Sequence, residues 1–190
     1  MTVGGASTTA KKIQDDGFTL IELLIVVTLI GIIAAIAIPG LLRARMAADE
    51  ASAVSSLRTM LSAQHAYMSS CGGGFYAKSL TILGDPAPAG AAFISPDLSA
   101  GAAADKSGYH FTLAEGSEAQ AATKDGCNST GTAANLFSSY YATASPISGG
   151  SSGSRWFFTN ALGTIYEAHS NVFAGITIGN AAPGAGTPLQ

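Results

Sequence analysis

Charge is scarce in this 190-residue chain: Asp, Glu, Lys and Arg together make up 11% of it, where an ordinary soluble domain carries roughly 25%. The nine Lys and Arg residues form no block and no stripe interleaved with aromatics, and the net charge is −3. Nucleic acid is thereby excluded as a primary ligand on electrostatic grounds. There is no P-loop and no dinucleotide fingerprint. His65, His110 and His169 are scattered, without metal-ligand spacing, and His65 reads as a residue packed beside the sheet expected further along the chain rather than a metal ligand. Gly149-Gly150-Ser151-Ser152-Gly153 formally satisfies G-x-S-x-G. A nucleophile elbow, however, needs a strand before it and a helix after it, and this one lies in a Gly/Ser-rich loop just after Pro146. No catalytic constellation is left, so the chain reads as a non-enzyme that calls for no cofactor and no metal. Only two cysteines occur, Cys71 and Cys127. In an exported domain they meet an oxidising compartment and pair, and loop-closure entropy gives such a bridge about 4 kcal/mol. In a reducing compartment they would be two buried thiols.

Apolar residues, by contrast, are abundant at 47%, and they are unevenly spread. Residues 1–16 are polar and small, with Lys11 and Lys12 followed by Asp15 and Asp16. Then comes Gly17-Phe18-Thr19-Leu20-Ile21-Glu22, and from Leu23 to Leu42 no side chain is charged. Twenty helical residues at ~1.5 Å each cover a hydrocarbon core of ~30 Å. Lys11 and Lys12 favour a cytoplasmic N-terminus, and Arg43 and Arg45 pull against it. A secretory signal peptide would be cleaved after its apolar run, yet Ala35-Ile36-Ala37 lies inside this one. An ordinary single-pass anchor leaves Glu22 without a purpose. A carboxylate at that depth is costly unless it finds a partner. Either Glu22 meets a cation or it snorkels to the interface, and the residues alone leave both open.

The string Gly17-Phe18-Thr19-Leu20-Ile21-Glu22-Leu23-Leu24, continuing through Gly31 to Pro39, resembles the N-terminal segment of type IV prepilins and type II secretion pseudopilins. The resemblance implies that a prepilin peptidase cuts between Gly17 and Phe18 and methylates the new amino group of Phe18. It implies that Glu22 then pairs with the Phe18 amine of a neighbouring subunit during assembly, which would make a carboxylate in lipid tolerable. The implied partners are further copies of the chain in a homopolymeric filament, the peptidase, an inner-membrane assembly platform, and membrane lipid before assembly. The implied location is the inner membrane with a periplasmic head, then an extracellular pilus or a periplasmic pseudopilus. Family leaders usually carry Lys or Arg near the glycine, and here Asp15 and Asp16 stand there instead. Ser56-Leu57-Arg58-Thr59 with Ala63-Gln64, Gly108-Tyr109-His110-Phe111, Ser154-Arg155-Trp156-Phe157-Phe158 and Gly163-Thr164-Ile165-Tyr166 extend the likeness to pilins more weakly. Major pseudopilins often hold calcium in a C-terminal loop, which requires several oxygen ligands. After Asp125 the only acidic residue is Glu167, which favours a pilus subunit over a secretion pseudopilin. A single-pass anchored binding protein that never polymerises is the reading from another class.

Beyond Arg43 the apolar pattern becomes periodic. Ala47, Ala51, Val54, Leu57, Leu61 and Met68 fall near helical spacing with His65 on the same stripe, and Asp49, Glu50 and Arg58 fall off it. One helix is therefore expected from Phe18 to about Ser70, apolar all round and then amphipathic. Pro39-Gly40 should kink or locally unwind it. Gly31 and Ala35, four apart, could let helices approach closely. Cys71-Gly72-Gly73-Gly74 should stop the helix. From Phe75 the chain reads as a helical turn over 78–83 and strands over 109–113, 136–143, 155–159 and 163–168. Asn160-Ala161-Leu162 suits a hairpin loop. Long loops are expected over 85–90, 99–108, 117–131 and 145–154. Asn128-Ser129-Thr130 fits the glycosylation sequon. The predicted fold class is α+β: a long N-terminal helix, transmembrane then amphipathic, packed against a small antiparallel β-sheet, pilin-like. The expected organisation is a leader over 1–17, a transmembrane or filament-core helix over 18–42, an amphipathic half over 43–70, a globular β-sheet head over 71–179, and a loose Ala/Gly/Pro-rich tail over 180–190.

Overall fold

The computed structural model describes residues 17–88 and 90–189. Most of the expected leader, residues 1–16, lies outside the described residues. Two compact units are present, one ending at Leu41 and one running from Leu42 to Gln190.

Helix α1, Leu20–Ser70, starts in the first unit and ends in the second. Within the first unit the apolar run offers no breaker except Pro39-Gly40, and the helix continues through both. The expected unwound stretch is not seen. Proline deletes one backbone hydrogen bond but leaves those of the neighbouring turns in place. α1 stops where the glycines begin. The Cys71 and Gly72 amides donate to the Tyr67 carbonyl and Gly74 donates to Met68. Gly73 and Gly74 take φ of +59° and +94°, a region open to glycine at no steric cost.

In the second unit a six-stranded antiparallel sheet runs β2-β3-β5-β6-β7-β8, built from β2 (Ala103–Lys106), β3 (Tyr109–Glu115), β5 (Tyr140–Pro146), β6 (Trp156–Asn160), β7 (Ile165–Ala168) and β8 (Thr187–Pro188). A two-stranded sheet pairs β1 (Tyr76–Ala77) with β4 (Leu136–Phe137), and two short helices, α2 (Leu80–Gly84) and α3 (Pro96–Ser99), complete the unit. β3 and β5 alternate strictly: Tyr109, Phe111 and Leu113 are buried, as are Tyr140, Ala142 and Ala144. That alternation puts one face of each strand into a core shared with Leu57, Met60 and Tyr67 of α1. The α+β arrangement read from the sequence is the one observed.

Several boundaries differ from expectation. The run 136–143 is two strands, because at Ser138 and Ser139 the chain leaves β4's partner and joins the larger sheet. β2 lies in what composition marked as a long loop. It pairs with β3 through a two-residue turn at Ser107-Gly108, with φ of +48° and +73°, the handedness a tight hairpin favours. The tail expected to be loose carries β8, whose Thr187 and Pro188 face Glu167 and Tyr166 of β7. The Glu118 carboxylate secures its start by accepting from the Gly179 and Asn180 amides, both at 2.8 Å.

Candidate functional site

Gly17, Phe18 and Thr19 precede the helix, and all three are exposed. Thr19 organises the helix start. Its hydroxyl accepts from the Glu22 amide at 3.2 Å and faces Glu22 Oε2 at 3.4 Å. This is a Thr-x-x-Glu capping arrangement, which satisfies one of the orphan amides of a first turn. It places a carboxylate one turn beyond the Gly17-Phe18 peptide bond, at the end of the helix whose dipole favours negative charge. The bond itself lies outside the helix. A side chain added at Gly17 would meet nothing within 4 Å, and the same holds at Gly31 and Gly40. Packing within the chain therefore does not require glycine at these positions.

From Phe18 to Leu42 the large apolar side chains are 48% to 84% exposed. α1 is long and apolar enough to cross a membrane, and among the described residues none of the apolar stretch is buried. Such a surface is stable in lipid or against other helices.

The second half of α1 is built differently. Its buried seam reads Glu50, Ala53, Leu57, Met60, Gln64, Tyr67, spaced alternately by three and four as a helix laid on a flat partner requires. Polar side chains occupy three of these six places. The Glu50 carboxylate, 6% exposed, accepts from the Ser154 amide at 2.7 Å, the Ser154 hydroxyl at 2.9 Å and Arg155 Nε at 2.8 Å. Arg155 extends to Glu167 at 2.6 Å. Burial pushes the Glu50 carboxyl up, but the bonds from Ser154 and Arg155 outweigh it, and the group ends below the usual carboxylate range. Burial likewise lowers the Arg155 guanidinium, and its two carboxylates more than reverse that. Gln64 exchanges two hydrogen bonds with the backbone of Ala77 in β1, at 2.7 and 3.0 Å. The Tyr67 hydroxyl donates to Asn128 Oδ1 at 3.0 Å, and burial pushes the phenol up to about 12.

The apolar stripe predicted along this half holds at Leu57 and Leu61, which are buried, and at Val54 and Met68, which pack against the core, but fails at its start. Ala47 and Ala51 are exposed, whereas Glu50, read as lying off the stripe, is buried. His65 is exposed as well, its ring edge-on to Tyr76 of β1 at 6.1 Å, so it lies beside the smaller sheet without being buried by it. His110 bonds to Asp105 at 2.5 Å. Gly149–Gly153 forms a turn closed by the Gly150 amide on the Gly153 carbonyl, with no helix after it. Among the described residues no three His, Cys, Asp or Glu side chains gather as a metal would need. Asn128 is not an acceptor site in the folded chain. Its amide is 6% exposed and is consumed by Tyr67, Ile82 and Asp85. Cys71 and Cys127 are disulfide-bonded across 56 residues of sequence, which ties the end of α1 to the loop that carries Asn128.

Comparison with known proteins agrees with the N-terminal geometry. Residues 14–38 match the prokaryotic N-terminal methylation motif. Over 56 residues the chain is 45% identical to the type IV major pilin protein PilA of Myxococcus xanthus (strain DK1622). That match takes in 30% of this chain and 26% of the relative, so it spans about a quarter of the relative's length. No solved structure matches. The resemblance to type IV pilins read from Gly17 to Pro39 is thus met by the motif and by the relative.

Proposed function

We propose that this chain, type IV pilin-like and carrying the prokaryotic N-terminal methylation motif, is the precursor of a structural subunit of a type IV pilus. The reading rests chiefly on one observation: an apolar helix exposed on every side, interrupted by a single carboxylate one turn from the Gly17-Phe18 bond. Cleavage after Gly17 by a prepilin peptidase would free an amine on Phe18, to be methylated. Glu22 of one copy would then neutralise the Phe18 amine of the next as the helices leave the bilayer for the filament core. Each copy satisfies its neighbour's otherwise costly charge, which makes polymerisation self-complementary. The inner-membrane assembly platform, lipid before assembly, and a final extracellular location follow from that sequence of events. Pro39 and Gly40 mark the place where α1 would yield on entering the filament. No catalytic role is assigned to any residue.

A type II secretion pseudopilin would share every one of these features. The position of Glu167, spent on Arg155, and the shortage of other carboxylates after Asp125 favour the pilus subunit. Mass spectrometry of the sheared surface fraction is the test. A peptide beginning at methylated Phe18 is expected. Glu22→Ala should insert in the membrane but yield no sheared filaments, since breaking a buried pair costs roughly 3–5 kcal/mol. Recovery of the chain only as monomers with residues 1–17 attached would refute the proposal.

A further inference from the structure

Where α1 enters the second unit, two tight turns stand against it. One is the Ser107-Gly108 hairpin tip, tied to the helix by Ser52 at 2.9 Å. The other is the 148–153 turn, joined to the first by the Ile147 amide on the Gly108 carbonyl. Between them and the helix lies a pocket of about 400 Å³ whose lining includes Leu42, Arg45, Asp49, Ile147 and Ser148. Its charged groups are unused. Arg45 and Asp49 are one turn apart, a spacing that suits an ion pair, yet the ion pairs and side-chain hydrogen bonds among the described residues involve neither. The Ser148 hydroxyl also has no partner among them. At the lip, Leu42 and Ile147 are 56% and 55% exposed.

We propose that this pocket holds the headgroup of a phospholipid bearing a primary ammonium. Arg45 takes the phosphate, Asp49 takes the ammonium, and Leu42 and Ile147 meet the glycerol and upper acyl carbons. The inference rests on the anchored reading given above. Leu42 closes the uncharged run, and Arg45 is three residues further, ~4.5 Å along a helix axis, which is headgroup depth for an anchored chain. The charge pattern makes the choice among lipids. A glycerol headgroup offers Asp49 only neutral hydroxyls, with no positive charge to match it. A quaternary ammonium has no hydrogen to donate. A phosphate and a primary ammonium together satisfy both side chains.

The test uses the full chain, purified in detergent and mixed with equal amounts of phosphatidylethanolamine, phosphatidylcholine and phosphatidylglycerol. Native mass spectrometry then counts the lipid retained. Phosphatidylethanolamine should exceed phosphatidylcholine about fivefold, the ratio that one hydrogen bond of ~1 kcal/mol provides. Asp49→Asn should bring the two to parity, and Asp49→Glu should keep the preference. Arg45→Gln should lower retention of all three lipids. Equal retention of the two zwitterionic lipids by the parent chain, or a preference that Asp49→Asn leaves intact, overturns the assignment. So does a lipid-free dimer that dissociates in Arg45→Gln, which would make a second copy the occupant. Vesicle flotation of the same preparation separates the two levels, since a chain that does not float contradicts the anchor itself.

Discussion

Replacing Glu50 by Ala removes the one carboxylate that α1 buries against the sheet, and the structure fixes what that should cost. Three hydrogen bonds disappear, two to Ser154 and one to Arg155 Nε. Truncating one member of a buried ion pair usually costs about 3–5 kcal/mol, because the survivor is left uncompensated. Here Arg155 keeps Glu167 at 2.6 Å, and its side chain is 29% exposed, so water and the second carboxylate soften the loss. The lower end applies, about 3 kcal/mol. For a chain of 150–250 residues each kcal/mol moves the midpoint by ~2–4 °C, so thermal unfolding followed by near-ultraviolet circular dichroism should show a drop of roughly 6–12 °C. A cycle with Arg155→Ala should return a coupling of about 1 kcal/mol or more between the two positions. A drop under about 2 °C, or purely additive effects in the cycle, would refute the view that this cluster secures the helix.

The same carboxylate sets a pH dependence. Its folded value is lowered, so its contribution is complete above the unfolded value of about 4.3 and is lost as pH falls through the folded value. The parent chain should therefore lose stability below about pH 4 more steeply than Glu50→Ala, and parallel curves would exclude Glu50 as the source. Cys71→Ser with Cys127→Ser opens a loop whose ends are 56 residues apart. About 4 kcal/mol should be lost, measured by denaturant midpoint at constant slope. Asn128→Ala strips the partners from the Tyr67 hydroxyl and from the Ile82 and Asp85 carbonyls. The expected cost is ~2–3 kcal/mol, and the parent's intact mass should show no glycan at this residue.

The long apolar helix was legible because its signal is contiguous: twenty uncharged residues and one misplaced carboxylate need no tertiary information. The helix stop was legible for a related reason, since three glycines cannot continue a helix cheaply. The face of the second half of α1 was legible only in part, at Val54, Leu57, Leu61 and Met68 and not at Ala47, Glu50 and Ala51. Alanine occurs all around that stretch, at Ala47, Ala48, Ala51, Ala53, Ala63 and Ala66, and so small a side chain barely distinguishes a buried position from an exposed one. Polar residues then occupy the seam itself at Glu50 and Gln64, which turns the pattern away from its true direction. Only the chain partners, Ser154 and Arg155 in one case and Ala77 in the other, reveal why those positions are inside. β2 was hidden in the same way. Ala103, Ala104, Asp105 and Lys106 have little strand propensity, and the strand exists because β3 and the Ser107-Gly108 turn hold it in register. The sequon was misleading because a three-residue pattern says nothing about burial.

The contrast between the two parts of α1 follows from what each must contact. On the proposed reading the first part passes from lipid to other helices and meets apolar surroundings throughout, so any polar group on it must be matched by the partner, as Glu22 is proposed to be. A segment that carries a folded head has a different requirement, because apolar contacts alone would let the helix slide or rotate on a smooth sheet. Moving the helix by one heptad would place Leu57 opposite Arg155 and leave Glu50 beyond the Ser154 amide, with the Glu50 charge unpaired and Arg155 left to Glu167 alone. Moving Gln64 by the same step would strip the Ala77 backbone of both its partners. Buried polar groups of this kind contribute little net stability compared with well-packed apolar ones, yet each misplacement leaves unsatisfied groups costing about 1–3 kcal/mol apiece. Glu50 and Gln64, two heptads apart on one face, therefore fix the register of the head on its helix, and the Cys71–Cys127 bond ties the end of that helix to the loop that carries Asn128.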